Sequence, residues 1–137
     1  MLSVPEYGWV NISVEDWEDR ASYLTDPHLD LIDAFITLFN DRKISAVNFD
    51  AEGWEYKIVL DFYSVYVIDE KEDEPKLYRF ERSATMLAEE LYKDISQNLY
   101  AWSVWDCVIE KEEDRIKNEN IIKEKLQELR NAIDMFK

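Results

Sequence analysis

The sequence predicts an α+β fold in which helices pack on one face of an antiparallel meander sheet. Between residues 45 and 82, apolar and polar residues alternate with a period of two, as in the run "EYKIVLDF". This alternation is typical of antiparallel strands that bury one face and expose the other to water. Before and after this region, apolar residues recur every three or four positions, as in amphipathic helices. Strands, one helix, more strands and further helices in that order indicate an α+β domain.

The N-terminal part is predicted to contain a hairpin and a helix. Residues 8–24 alternate as two strands that turn around Glu15–Asp16. Asp26 followed by Pro27 is a typical helix start, with Asp26 as the capping side chain and proline in the first helical position. The helix is expected to cover residues 27–40 and to bury a wide apolar face.

The meander is predicted to occupy residues 45–82. Gly53 is expected to allow a kink or bulge before the next strand. The run "DEKEDEP", residues 69–75, has the length and composition of a hairpin loop. One face of the strand after Gly53 is apolar and consists of Trp54, Tyr56, Ile58, Leu60 and Phe62.

Helices are predicted over residues 84–136. Ser83 or Thr85 is expected to cap the first of them, which carries an apolar stripe of Leu87, Leu91, Ile95 and Leu99. A second apolar seam steps by four and three residues through Ile122, Leu126, Leu129, Ile133 and Phe136. The pattern does not decide whether this seam packs on the sheet of the same chain or mediates contact with a second copy, so monomer and homodimer both stay open.

The acidic composition restricts the class of partner. The 137 residues, enough for one domain spanning residues 1–137, include 31 acidic and 16 basic side chains and carry a formal net charge of −15. Such a surface repels phosphate backbones and anionic lipids, so nucleic acid and membrane are not expected as partners. A basic protein is expected instead. The chain has no run of the roughly 20 apolar residues that span a bilayer and no signal-peptide pattern, which predicts a cytoplasmic location.

The residues that catalysis or metal binding would need are scarce. His28 and Cys107 are the only histidine and cysteine, so the sequence lacks a zinc ligand set and a catalytic triad. His28 is expected to be exposed in the first turn of its helix, and Cys107 to be a packed small side chain. Gly8 and Gly53 are isolated, unlike the glycines of phosphate-binding loops. The sequence therefore predicts a protein that is not an enzyme and has no catalytic residue, metal site or cofactor.

Carboxylates are abundant, but their spacing does not indicate acid–base catalysis. Glu55 and Asp61 share one strand face at a separation of roughly 20 Å, too far apart to act as a pair. The acidic run from Asp69 to Glu74 lacks the spacing and the turning glycine of a calcium-binding EF-hand loop. A metal-dependent hydrolase of another kind stays open as a third hypothesis.

Recognition of another protein is the remaining interpretation. Tryptophan and tyrosine, which often dominate binding energy at interfaces, lie repeatedly beside acidic residues in runs such as "EDWED" and "EGWEY". The burial of Trp17, Trp102 and Trp105 does not follow from the pattern, and Trp17 is proposed as an anchor. The predicted partner-binding residues are Glu15, Asp16, Trp17, Glu18, Asp19, Glu55, Asp61, Asp69, Glu70, Glu72, Asp73 and Glu74.

The runs "RASYLTDPHLDLIDAF" and "FDAEGWEYKIVLDFYSVYVI" resemble small acidic immunity proteins of bacterial polymorphic-toxin and contact-dependent inhibition systems. The resemblance is one of length, acidity and strand–helix–strand order over roughly the first 100 residues. It implies a cytosolic antitoxin that binds and neutralises a cognate toxin domain, often a basic nuclease. Members of this group use unrelated folds, so the resemblance implies no particular binding residue.

Two functions follow as expectations. The first is an immunity protein that blocks a toxin with acidic side chains. The alternative is a nucleic-acid mimic that inhibits restriction enzymes or nucleases, with carboxylates spaced like phosphates and broad specificity. Competition with DNA for several unrelated nucleases would distinguish the second from the first.

Overall fold

The computed structural model describes residues 1–106 and 109–137; Cys107, for which a packed side chain was predicted, lies outside the described residues. Six strands and four helices follow one another in the described part. In chain order they are β1 (Trp9–Val14), β2 (Trp17–Ser22), α1 (Pro27–Asp41), β3 (Ser45–Asp50), β4 (Glu55–Leu60), β5 (Ser64–Asp69), β6 (Lys76–Glu81), α2 (Ala84–Ser96), α3 (Leu99–Val104) and α4 (Glu112–Phe136).

The predicted meander is confirmed. Strands β3, β4, β5 and β6 form a four-stranded antiparallel sheet in that order, and helices pack on one of its faces. Ile58 lies opposite Val47 on one side and opposite Val67 on the other, and all three side chains are buried. The period-two alternation fixes this register, because a shift by one residue would turn every apolar side chain towards water. The α+β fold class predicted from the sequence is therefore correct.

The turn between β3 and β4 differs from the expected kink or bulge. Glu52 and Gly53 form a two-residue hairpin turn with φ values of 57° and 148°, and Ala51 N–H donates to the carbonyl of Trp54 at 2.9 Å. Positive φ at both central positions matches the twist of the two strands, which is why glycine is placed here.

Strands β1 and β2 form a separate two-stranded hairpin, in which Val14 lies opposite Trp17 across a turn at Glu15–Asp16. Strand β2 ends at Ser22, two residues earlier than predicted. The Ser22 hydroxyl accepts a hydrogen bond from the backbone N–H of Leu24 at 3.3 Å. A short side-chain turn of this kind competes with strand pairing and ends the ladder.

Helix α1 starts at Pro27 as predicted, but Asp26 makes no capping hydrogen bond through its side chain, so that part of the prediction is wrong. Pro27 lacks an N–H and is tolerated in the first helical position. The helix ends at Asp41, where Arg42 adopts a left-handed conformation with φ 56°. Its buried apolar side chains, besides Pro27, are Leu31, Ile32, Ala34, Phe35, Leu38 and Phe39.

The C-terminal helices complete the core. Helix α2 ends at Ser96 and α3 starts at Leu99, so Leu99 does not continue the α2 stripe as predicted. Ser83 precedes α2, but its hydroxyl is hydrogen-bonded to that of Thr85 at 2.9 Å and makes no cap bond. The α4 seam packs internally against α1: the ring of Phe136 lies 4.9 Å from that of Phe39.

The other face of the four-stranded sheet is open to solvent. Lys57, Val59 and Tyr66 are half-buried on it, and Leu77 and Arg79 are exposed at the β6 edge. Strands β3 and β6 are the two edge strands. This face is mixed in charge and apolar character, and the acidic residues gather at its ends.

Candidate partner-binding surface

The first predicted acidic turn lies at the tip of the β1–β2 hairpin. Glu15 adopts a left-handed conformation with φ 53°, which is uncommon for a residue other than glycine. Its carboxylate accepts a 2.8 Å hydrogen bond from Arg82, which lies just before α2. The ion pair ties the hairpin tip to the far side of the main sheet, so Glu15 serves to position the turn.

Asp19 joins the hairpin to the β3–β4 turn. Its Oδ2 accepts a 2.8 Å hydrogen bond from the indole Nε1 of Trp54, and its Oδ1 accepts one from the backbone N–H of Arg20 at 2.7 Å. The Arg20 guanidinium lies between two indoles, 4.7 Å from the ring centre of Trp9 and 5.1 Å from that of Trp54. Cation–π contacts of this kind hold the guanidinium and the two rings in one stack.

The structure brings the first predicted acidic turn close to the start of the second, which contributes one carboxylate, that of Asp69. The two segments line one open cavity of about 370 Å³, which we name the acidic groove. One wall comes from the hairpin and the other from the β5–β6 region, so residues some fifty positions apart in the chain face each other. The lining residues are Asp16, Trp17, Glu18, Asp19, Asp69, Lys71 and Tyr78.

Trp17 forms part of the groove but is not a protruding anchor. Its side chain is 7% exposed and its ring meets that of Tyr56 edge to face at 5.2 Å. The Tyr56 hydroxyl donates to the carbonyl of Arg20 at 2.8 Å. Burial raises the pKa of Tyr56, and the nearby carboxylates of Asp19 and Asp69 raise it further. The groove therefore has a rigid aromatic base under a negative potential.

A lysine within the acidic groove was not predicted from the sequence. The Nζ of Lys71 lies 4.6 Å from the ring centre of Trp54, and its backbone N–H donates to the Asp69 carboxylate at 2.9 Å. Its ammonium group supplies a cation to a site otherwise lined by carboxylates. The single positive charge inside the "DEKED" run was the signal that could have identified it.

Several predicted residues lie outside the acidic groove. The backbone N–H of Glu70 donates to the carbonyl of Glu55 at 3.1 Å, so these two acids lie together at one end of β4 and β5 and line a cavity with Asp50 of β3. Asp61 is at the opposite end of β4, where it accepts a hydrogen bond from the backbone N–H of Phe62 at 2.7 Å. In the β5–β6 loop, Glu72 pairs with Lys76 at 3.4 Å. Asp73 and Glu74 are exposed in the same loop.

His28 is buried, contrary to the prediction that it would be exposed. It is 3% exposed and stacks on Trp102 with 4.2 Å between ring centres. Its Nδ1 has no hydrogen-bond partner among the described residues, and burial lowers its pKa to about 3. Trp102 and Trp105 are also buried, so α3 covers the first turn of α1. Two tryptophans considered for recognition thus belong to the core.

Within residues 1–106 and 109–137, histidine, aspartate and glutamate side chains nowhere form a group of three that could hold a metal ion. Each helix in these ranges is too short or too polar to cross a bilayer. Compared with family models, curated proteins and solved structures, the chain matches none.

Proposed function

We propose that this protein is an immunity protein, a stoichiometric inhibitor that binds a basic toxin domain through the acidic groove. The observation that carries the proposal is that the first acidic turn meets Asp69, at the start of the second, in one groove of about 370 Å³. Such an inhibitor acts in the cytoplasm by occupying the toxin surface and needs no catalytic group of its own.

The chemistry of the acidic groove suits a lysine or arginine side chain. Asp16, Glu18 and Asp69 offer carboxylates to a cationic head group, and Tyr78 offers an aromatic surface to its aliphatic stem. Lys71 occupies part of this environment in the free protein, with its ammonium over Trp54. An incoming cation therefore displaces Lys71, which then swings into solvent from its exposed position in the loop.

The overall charge supports a basic partner. A formal net charge of −15 creates a field that accelerates encounter with a cationic protein and weakens as salt screens it. Association rates up to ~10⁸–10⁹ per molar per second are reached in this way. Specificity then comes from the fixed positions of the groove carboxylates, since net charge alone attracts any basic protein.

The test is binding and protection with the toxin domain that we expect to be encoded immediately upstream of this gene, here called the neighbouring toxin. We expect a 1:1 complex, protection of cells that express the toxin, and slower association at high salt. Asp16→Asn with Glu18→Gln removes two groove charges that have no recorded structural bond, and we expect roughly tenfold slower association. Asp73→Asn with Glu74→Gln is the matched control, because it removes the same charge from exposed loop positions outside the groove.

If the two double variants slow association equally, binding depends on net charge alone and the acidic groove is not the binding site. Absence of protection against the neighbouring toxin would reject the immunity function. Competition with DNA for several unrelated nucleases would favour the nucleic-acid mimic over a cognate inhibitor.

A further inference from the structure

The free edge of β3 carries unpaired backbone groups. Ala51 N–H bonds the carbonyl of Trp54, and hydrogen-bonded pairs alternate along an antiparallel ladder. The pairs that bond β3 to β4 therefore include Phe49↔Tyr56 and Val47↔Ile58. The backbone groups of Ala46, Asn48 and Asp50 point the other way, and no hydrogen bond recorded within residues 1–106 and 109–137 uses them.

This edge borders a long groove. Two cavities of about 470 and 390 Å³ lie along β3 and share Thr25 and Asn48 in their linings. All six residues of β3 line one or both cavities. Helix α1 forms the opposite wall with Asp30, Asp33, Ala34 and Thr37. We name this continuous space the edge groove; it runs parallel to a strand whose outward backbone groups are free.

The charge of the edge groove is mainly negative. Asp30 and Asp33 line it on the α1 side, and Asp50, Glu55 and Glu70 line its other end. Lys125 neutralises Asp33 through a 2.9 Å ion pair, whereas Lys57 is a basic lining residue beside the acids. Burial, followed by the nearby Asp26 and Asp33, raises the pKa of Asp30. A carboxylate surrounded by other carboxylates favours a nearby cation.

We propose that the edge groove takes an extended basic segment of the partner protein, which adds to β3 as a fifth strand. Main-chain hydrogen bonds to Ala46, Asn48 and Asp50 supply the docking geometry, as in other cases of strand addition. Lysine or arginine side chains at alternate positions of the added segment reach the acidic residues that line the edge groove. The inference rests on the proposed function only for the identity of the partner.

Charge also decides between this occupant and the alternatives. A second copy of the chain would bring two bodies of formal charge −15 into contact, which is unfavourable. The other edge strand, β6, carries Lys76 and Arg79, and Arg79 is exposed. Lys76 pairs with Glu72 at 3.4 Å and Arg79 with Glu81 at 3.2 Å, so the carboxylates beside this edge are already neutralised and attract a basic segment less than those of the edge groove do.

The experiment uses two capped decapeptides as probes, one alternating valine with lysine and the other valine with glutamate. Backbone amide NMR of the whole protein follows each titration. We expect saturable shifts and slowed hydrogen exchange at Ala46, Asn48 and Asp50 with the lysine peptide, and neither effect with the glutamate peptide. Cross-strand contacts between the peptide and β3 in isotope-filtered spectra would identify the added strand directly.

Proline variants test the backbone mechanism. Asn48→Pro removes an outward N–H that β4 does not use, and proline is tolerated at such edge positions. Leu77→Pro is the matched control on β6, where Arg82 N–H bonding to Tyr63 likewise turns the groups of Leu77 outward. We expect Asn48→Pro to weaken lysine-peptide binding at least about tenfold and Leu77→Pro to leave it unchanged.

A charge variant keeps the test valid if Asn48→Pro fails to fold. Asp30→Asn with Glu70→Gln preserves side-chain shape and should weaken binding about threefold or more. The proposal is overturned if the lysine peptide causes no saturable shift at β3, if neither variant weakens its binding, or if the edge instead pairs two copies of the chain. Peptide binding without binding of the neighbouring toxin would reject the proposed function alone, and toxin binding without addition to β3 would reject this inference alone.

Discussion

The indole N–H of Trp54 donates a 2.8 Å hydrogen bond to Oδ2 of Asp19, and this bond joins the β1–β2 hairpin to the turn between β3 and β4. We expect Trp54→Phe to lower the free energy of unfolding by about 1–2 kcal/mol, because it leaves a half-buried carboxylate oxygen without its donor. Urea denaturation measures this change.

Trp9→Phe is the control for that variant. Trp9 flanks the same Arg20 guanidinium at 4.7 Å, but its indole N–H makes no hydrogen bond recorded among the described residues. Both substitutions alter a cation–π contact with Arg20, but Trp54 also contacts Lys71. Measuring both variants in a Lys71→Ala background removes that additional contact, so the difference between them isolates the hydrogen bond. Equal losses would mean that the Asp19–Trp54 bond contributes nothing.

Acid is expected to destabilise the fold through His28. The pKa of this buried imidazole is lowered to about 3 from the ordinary value of 6.5. The unfolded chain therefore binds a proton as the pH falls through 6.5 and the folded chain does not, so stability is complete above pH 6.5 and declines towards pH 3. Between pH 7 and pH 5 we expect a loss of about 2 kcal/mol.

His28→Phe keeps an aromatic ring against Trp102 and should remove this pH dependence between pH 7 and pH 5. Partial burial and the nearby Asp106 raise the pKa of Asp26, so this group acts in the opposite direction, and His28→Phe leaves that contribution in place. Because His28 is the only histidine, its NMR signal reports the folded-state pKa without ambiguity. Titration of that signal near pH 6.5 would contradict the burial argument.

Glu89 links α2 to the C-terminal helix. It accepts two hydrogen bonds from Arg130, at 2.9 and 2.8 Å, and one from Lys137 at 3.0 Å. These bonds lower the pKa of Glu89 to about 2. The stabilisation is therefore present above pH 4.5 and is lost as the pH falls towards 2.

Glu89→Gln should cost about 1 kcal/mol at pH 7, a modest value because the carboxylate is 35% exposed. Asp134→Asn is the control: it meets the same guanidinium at 3.7 Å without a recorded hydrogen bond and should cost less than about 0.5 kcal/mol. Chemical denaturation at pH 7 and at pH 3 separates the two, since the cost of Glu89→Gln should shrink at the lower pH. If Glu89→Gln costs as much stability at pH 3 as at pH 7, the loss comes from packing and not from the charge of Glu89.

The α4 seam makes a fourth prediction. Leu129 is fully buried against the core, whereas Ile121 on the same helix is 43% exposed. Leu129→Ala should lower the free energy of unfolding by about 2–5 kcal/mol through lost burial and a cavity. Ile121→Ala should change it by less than about 1 kcal/mol. Similar costs would indicate that the exposed side of α4 is covered by another chain, and light scattering would then detect the dimer.

The regular elements were predictable because their patterns are local. The alternation around Ile58 and the four-and-three spacing through Leu129 each depend on residues of a single element. His28 was placed wrongly because its burial depends on α3, which lies some seventy residues further along the chain. The acidic composition of both turns was visible in the sequence, but the facing of Asp19 and Asp69 across one groove depends on tertiary packing.

The β1–β2 hairpin is attached to the rest of the protein in a way that lets the two walls of the acidic groove change independently. Among the described residues no backbone hydrogen bond joins this hairpin to the four-stranded sheet; side chains such as Asp19, Tyr56 and Arg82 make the connection. Each wall of the acidic groove thus belongs to its own ladder. Mutations at the tip of one wall leave the pairing register of the other intact, so the lining of the groove proposed for binding can change over generations while the scaffold stays constant.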